Sequence, residues 1–153
     1  MFLLTHLFGE LYAFDRNLRP SSGYEVAVMK FWNELPDYIV PVCTELQMYH
    51  LDEYYPGTSD IVLFNKNTNK IIIGDYKTNK DLYKNYRGQK MLPPFNDLLD
   101  CPLSKYKLQL SYYQILIEQT GVEVEKRVLI WVKPDGTYEL ISCDDYTEIL
   151  KKY

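Results

Sequence analysis

Residues 59–77 read SDIVLFNKNTNKIIIGDYK. Two apolar runs, IVLF and III, flank a polar stretch of Asn, Lys and Thr, which is the pattern of two strands joined as a hairpin. The strands are expected at 59–64 and 70–77. A turn centred between Asn67 and Thr68, with a loop of two or four residues, sets Asp60 directly opposite Asp75. Their Cβ atoms would then lie about 5 Å apart on one face of the sheet. Lys77, two residues further on, projects to that same face, and Tyr76 points to the other.

Two opposed carboxylates destabilise a hairpin unless positive charge lies between them. A divalent cation supplies that charge. Two aspartates, a backbone carbonyl and waters suit Mg²⁺, which takes hard oxygen ligands and keeps much of its hydration shell. A lysine beside such a site can orient an attacking water or stabilise charge on a phosphate. Strand-end acids neutralised by Lys77 are the plainer reading of the same residues.

Outward from the hairpin, the chain alternates helices and strands. Residues 2–14 have the pattern of an amphipathic helix, and NLRPSSG ends it. Ser21 or Ser22 can cap a second helix at 24–35, stopped by Pro36. Residues 38–50 are rich in strand formers, with Pro41 marking an irregular or edge segment. Residues 52–57 read as a turn, and 78–102 as a long polar loop containing Pro93 and Pro94. A helix follows at 103–121, closed by Gly121. Strands at 126–132 and 137–143 flank a KPDG turn, and a short helix is expected at 144–153. The fold class is therefore α/β (α+β): one domain over 1–153, a mixed sheet of about five strands flanked by helices.

The 153 residues include 46% hydrophobic residues and 15 tyrosines, enough for a sizeable core. Net charge is −4, but residues 66–107 hold nine Lys and Arg against four Asp. That basic stretch is either a solvated loop or a phosphate-binding surface. Cys43, Cys101 and Cys143 are scattered, which disfavours a disulfide scaffold, a Cys-based zinc site or the four thiolates of an iron–sulfur cluster. They fit a reducing compartment such as the cytoplasm. No run approaches the length of a membrane span, and the N-terminal stretch lacks the basic region of a signal peptide.

GTSDIVL (57–63), IIIGDYKT (71–78) and KYKLQLSYY (105–113) together resemble the PD-(D/E)XK nuclease superfamily, in particular its RecB-like exonuclease branch and phage-encoded members. The branch pattern is G-x-x-D, then D-x-K ending an apolar strand, then Q-x-x-x-Y on the next helix. The resemblance covers about residues 38–132, with helices at 1–36 before it and a strand and helix at 133–153 after it. It implies a restriction-endonuclease-like core and a deoxyribonuclease, expected to be an exonuclease of recombination, repair or phage DNA processing in a bacterial or phage-infected cell. Asp60, Asp75 and the Tyr76 carbonyl would hold Mg²⁺ or Mn²⁺, and Lys77 would position the water. Glu45 would be a third carboxylate, against the alternative of a surface glutamate. His6 would be a further metal ligand, against the alternative of a structural helix histidine; His50 is read as structural.

Gln109 and Tyr113 would shape the site and contact DNA. They lie on one helix face in line with Lys105, a row that also reads as a solvated stripe. Lys80, Lys84 and Arg87, with Tyr83 and Tyr86, would hold a strand by phosphate contacts and stacking. A helicase or recombinase partner is possible on this reading. An iron–sulfur relative in the same family carries flanking cysteines that have no counterpart here, so no cluster is expected. Two other readings stay open: a nuclease fold that binds DNA without cutting, and an α/β interaction domain.

Overall fold

A computed structural model of the chain describes residues 22–49 and 56–152. The first expected helix, His6, His50 and most of the 52–57 turn lie outside the described residues. Within them, α1 (Gly23–Asn33) leads to β1 (Ile39–Tyr49), β2 (Pro56–Asn65) and β3 (Lys70–Lys77). Then follow α2 (Pro102–Glu118), β4 (Val124–Val132), β5 (Tyr138–Ser142) and α3 (Thr147–Leu150). The fold is α+β, with a five-stranded mixed sheet in the order β1-β2-β3-β4-β5.

The central hairpin forms in the expected register. Its ladder runs from Asn65↔Lys70 to Ile61↔Gly74 around a four-residue turn. Beyond β3 the chain must cross to a parallel neighbour, which needs a long connection. The loop 78–101 and α2 provide it, and β4 pairs with β3 so that Lys77 lies opposite Trp131.

Both faces of β2 and β3 are covered, which is why their apolar runs are nearly continuous. Ile71, Ile73 and Val62 pack under Leu110, Tyr113, Leu116 and Ile117 of α2. Ile61, Leu63 and Tyr76 pack under Ala27, Val28 and Phe31 of α1. Tyr76 thus lies on the face opposite Ile73, as the strand period requires. The Trp32 indole N–H donates to its hydroxyl at 2.9 Å. Helix α1 starts at the Ser22 cap, whose hydroxyl accepts from the Glu25 N–H. Gly23 lets the helix start press on the β4–β5 turn, since a Cβ there would meet the Pro134 carbonyl oxygen.

Several elements differ in extent from the sequence reading; β2 begins at Pro56, inside the expected 52–57 turn. Helix α2 ends at Glu118, and Gly121 takes its left-handed conformation (φ 88°) two residues beyond the Gln119 cap. Strand β1 is an edge strand, as expected from Pro41, with a bulge at Val42 between the paired positions Pro41 and Cys43. The last helix is only Thr147–Leu150, because the Asp145 carboxylate accepts from the Thr147 N–H and holds a turn in place of an earlier helical start.

Candidate functional site

The β2–β3 ladder stops at Ile61↔Gly74, and side chains take over at the next position. The Asp60 N–H donates to Asp75 Oδ1 at 2.9 Å, and the Tyr76 N–H donates to Asp60 Oδ2 at 3.0 Å. The two strands therefore remain linked through their carboxylates. The Ser59 hydroxyl, fully buried, lies 3.1 and 3.2 Å from the carbonyls of Ile61 and Gly74 and supports the same junction.

Each carboxylate keeps one oxygen outside these two bonds. Asp60 is 8% exposed and Asp75 only 3%. Burial pushes the Asp75 carboxyl up from 3.8 to about 7, helped by the charge of Asp60 and opposed by the Asp60 N–H and Lys77. Asp60 is also raised, chiefly by burial, against the pull of the Tyr76 N–H and Lys77. The pair is short of positive charge.

Lys77 supplies part of that charge. Its Nζ is 4.0 Å from Asp75 Oδ2, on the same face as the strand period demands. It also lies 4.2 Å from the centroid of the Tyr106 ring, on α2. The Tyr106 hydroxyl donates to Asn79 Oδ1 at 3.1 Å, and the Trp131 indole N–H donates to the Asn79 carbonyl at 2.7 Å. Lys77 is thus held between an acid and an aromatic face, and the aromatic is itself tied to the start of the following loop. Sequence reasoning missed Tyr106. The available signal was its spacing of seven from Tyr113, two helical turns along one face.

Tyr113 is buried on that face. Burial pushes its hydroxyl up to about 12, and the charges of Asp75 and Asp60 add to the rise, so it stands within electrostatic reach of both acids. Its ring leans on Gly57, where an added Cβ would approach ring carbons to 2.7 and 2.8 Å. This contact gives a physical reason for glycine three residues before Asp60. Replacing Gly57 with Ala is expected to displace the Tyr113 ring and cost about 1–3 kcal/mol by overpacking, measured by urea unfolding.

Gln109 and Lys105, four and eight residues earlier, are exposed, and Lys105 pairs with Asp100 at 3.3 Å. The row expected from Lys105 to Tyr113 therefore runs from the surface into the core. Glu45 is exposed on β1, between the paired positions Thr44↔Ile61 and Leu46↔Ser59, which places it across the sheet from Asp60. Its charge adds to the rise at Asp60. Its backbone is left-handed (φ 49°), a conformation costing a non-glycine residue roughly 1–2 kcal/mol.

Lys80, Lys84 and Arg87 are exposed on the loop after β3. Leu82, fully buried, pins that loop, and the Asn85 amide donates to the carbonyls of Gln89 and Asp100. Tyr83 and Tyr86 are 56% and 69% exposed, and Arg87 lies over the Tyr86 ring.

The donor chemistry fits a hard cation: two carboxylates, each with an oxygen to spare, in a place where burial leaves negative charge uncompensated. Among the described residues no three His, Cys, Asp or Glu side chains converge to hold a metal. The centre is an aspartate pair with Glu45 to one side. An ion that retains most of its waters needs no more than this from the protein.

No family model matches the chain, and no curated protein matches it. Among solved structures, one described as "Crystal structure of SSO0001" is similar over 94% of this chain and 76% of its own, at 16% identity and a TM-score of 0.34. A likeness at that level carries no argument about fold or activity.

Proposed function

We propose that this chain is a metal-dependent deoxyribonuclease. The observation behind this reading is the buried, directly opposed pair Asp60 and Asp75, with Lys77 on the same face. Asp60, Asp75 and the Tyr76 carbonyl would hold Mg²⁺ or Mn²⁺, with Glu45 available from the flanking strand. The chemistry such a metal would supply there is polarisation of a phosphodiester and a lowered pKa for a bound water.

The chain's own residues do the rest. Lys77, steadied by Asp75 and Tyr106, orients the water and balances charge growing on the phosphate. Tyr113 packs beside the acid pair against Gly57, and Gln109 lies one helical turn away toward solvent. Lys80, Lys84, Arg87 and Lys105 attract the phosphate backbone. Action on DNA ends in recombination, repair or phage DNA processing, in the cytoplasm and with a helicase or recombinase delivering the DNA, belongs to the same proposal. Among the described residues no helix is long and apolar enough to cross a membrane.

One observation favours a second reading, a DNA-binding module that does not cut. Each aspartate already accepts a backbone N–H, so the pair also works as a staple between β2 and β3. Incubation with end-labelled linear and closed circular DNA, single- and double-stranded, in Mg²⁺, Mn²⁺ or EDTA separates the two. Metal-dependent cutting supports the nuclease, and cutting of linear DNA alone makes it an exonuclease. Metal-independent binding without cutting supports the module.

The Lys77–Tyr106 contact has its own test. Tyr106→Leu is expected to lower kcat about tenfold with little change in KM, by loosening Lys77. Tyr106→Phe keeps the ring and is expected to stay within about threefold of wild type, since a cation–ring contact is worth about 0.5–2 kcal/mol. Equal losses in both variants would assign the effect to the Asn79 hydrogen bond instead.

A further inference from the structure

Strands β3 and β4 run parallel and end side by side, with Lys77 opposite Trp131. A crevice of about 530 Å³ opens beyond their carboxyl ends, lined by Tyr24, Thr78, Asn79, Lys80, Trp131 and Lys133 among others. The volume is that of a small-ligand site. The crevice starts one residue past Lys77 along the chain, at the end of the strand that carries Asp75.

Its lining has two chemistries. Tyr24 and Trp131 offer aromatic surface. The Trp131 ring is fixed, because its N–H is bound to the Asn79 carbonyl and the Tyr83 ring meets it edge-on at 6.3 Å. Lys80 and Lys133 offer positive charge; Lys133 Nζ lies over the Trp131 ring, 4.6 Å from its centroid, and a stacking base takes the place of this exchangeable cation on the ring. Asp135, at the same rim, is turned into the β4–β5 turn, where its carboxylate accepts from the N–H and hydroxyl of Thr137. Lys133 also pairs with the exposed Glu139 at 3.4 Å, an ion pair that water and salt weaken.

A rigid aromatic plane with lysines around it matches a planar base carrying a phosphate. Bases in a duplex have both faces covered by their neighbours, so only an unpaired base can stack here. We propose that this crevice is a subsite for one unpaired nucleotide of the bound strand, with its base on Trp131 and its phosphate at Lys80 and Lys133. The proposal rests on the nuclease reading above and deepens it: the substrate is single-stranded DNA. Tyr83 and Tyr86, exposed on the adjoining loop, extend the same stacking path.

The test is binding of fluorescein-labelled oligothymidine and of a blunt hairpin duplex, by anisotropy in EDTA, to the full chain. Wild type is compared with Trp131→Leu and with the double variant Lys80→Ala/Lys133→Ala, each checked for folding by circular dichroism. The double variant leaves the Trp131–Asn79 bond in place, which covers the case in which Trp131→Leu unfolds.

Wild type is expected to prefer oligothymidine. Each variant should weaken that binding about 5- to 100-fold; Trp131→Leu should leave the duplex within about twofold, and the double variant, which also lacks the general phosphate contact of Lys80, should lose less duplex than oligothymidine binding. The salt dependence of oligothymidine binding should fall by about two in slope for the double variant. Oligothymidine binding unchanged in the double variant, or equal losses for oligothymidine and duplex, would overturn the subsite. A parallel incubation of wild type in Mn²⁺ keeps the two claims apart. Crevice-dependent binding without cutting retires the nuclease reading alone, and cutting with crevice-independent binding retires the subsite alone.

Discussion

On the proposed function, Asp75→Asn is expected to abolish metal-dependent cleavage and, in EDTA, to make the protein more stable. Both effects come from one feature, a carboxylate buried beside another carboxylate. If Asp75 holds the proposed metal, its loss would remove the charge stabilisation that the metal would supply to a phosphoryl transition state. Several kcal/mol of such stabilisation corresponds to about 10³-fold or more in rate.

The stability gain follows from the raised pKa. Asn keeps an oxygen that can accept the Asp60 N–H and removes the charge that burial opposes. The rise from 3.8 to about 7 converts to a gain of roughly 2–4 kcal/mol above neutral pH, the upper end being the full conversion. The pH dependence has a definite sign. Between about pH 4 and pH 7 the folded chain holds a proton on Asp75 that the unfolded chain has released. Wild-type stability in EDTA therefore falls as pH rises through that window and levels off above it. Asp60, also raised, acts in the same direction. Urea melts of wild type and Asp75→Asn across this range check the prediction: the wild-type curve slopes down and the variant's is flatter.

Lys77→Met is also expected to stop the proposed cleavage, but by a different route. A group that positions water or moves a proton contributes about 10²–10⁴-fold, and a loss in that range is expected in kcat. The variant removes the cation from between Asp75 and the Tyr106 ring, leaving both acids less compensated. Apo stability should fall by about 1–2 kcal/mol, from the lost cation–ring contact and the lost attraction to Asp75. The metal ligands remain. Mn²⁺ at about 100 times its Kd should still stabilise Lys77→Met by about 2.7 kcal/mol and should not stabilise Asp75→Asn. Thermal melts with and without Mn²⁺ read both results. A Lys77→Met protein that still cuts at the wild-type rate would remove Lys77 from the mechanism.

The hairpin and its acids were legible in the sequence because strand geometry is local. Period-two alternation sends Asp75 and Lys77 to one face and Tyr76 to the other, and the turn sets Asp60 against Asp75. The Tyr76–Trp32 bond and the Lys77–Asp75 contact are the outcome. Less legible were contacts across elements. Tracing α2 back from Tyr113 by fours leads to Gln109 and Lys105, which face solvent. Tyr106, one position after Lys105, is the residue that meets Lys77, and this depends on how the helix is rotated over the sheet. The Lys77↔Trp131 pairing depends on β4 joining β3 in parallel after more than forty residues, and no local pattern fixes that register. The left-handed backbone at Glu45 was equally hidden, since glutamate gives no signal for it.

The central claim is that Asp60 and Asp75 form a divalent-cation site. Calorimetric titration of Mn²⁺ into wild type and Asp75→Asn at pH 8 tests it most directly. The account predicts saturable binding to wild type that is lost in Asp75→Asn while the variant remains folded. Absence of Mn²⁺ binding to wild type, or binding of equal strength to both proteins, would contradict it and leave the pair as a structural staple between two strands.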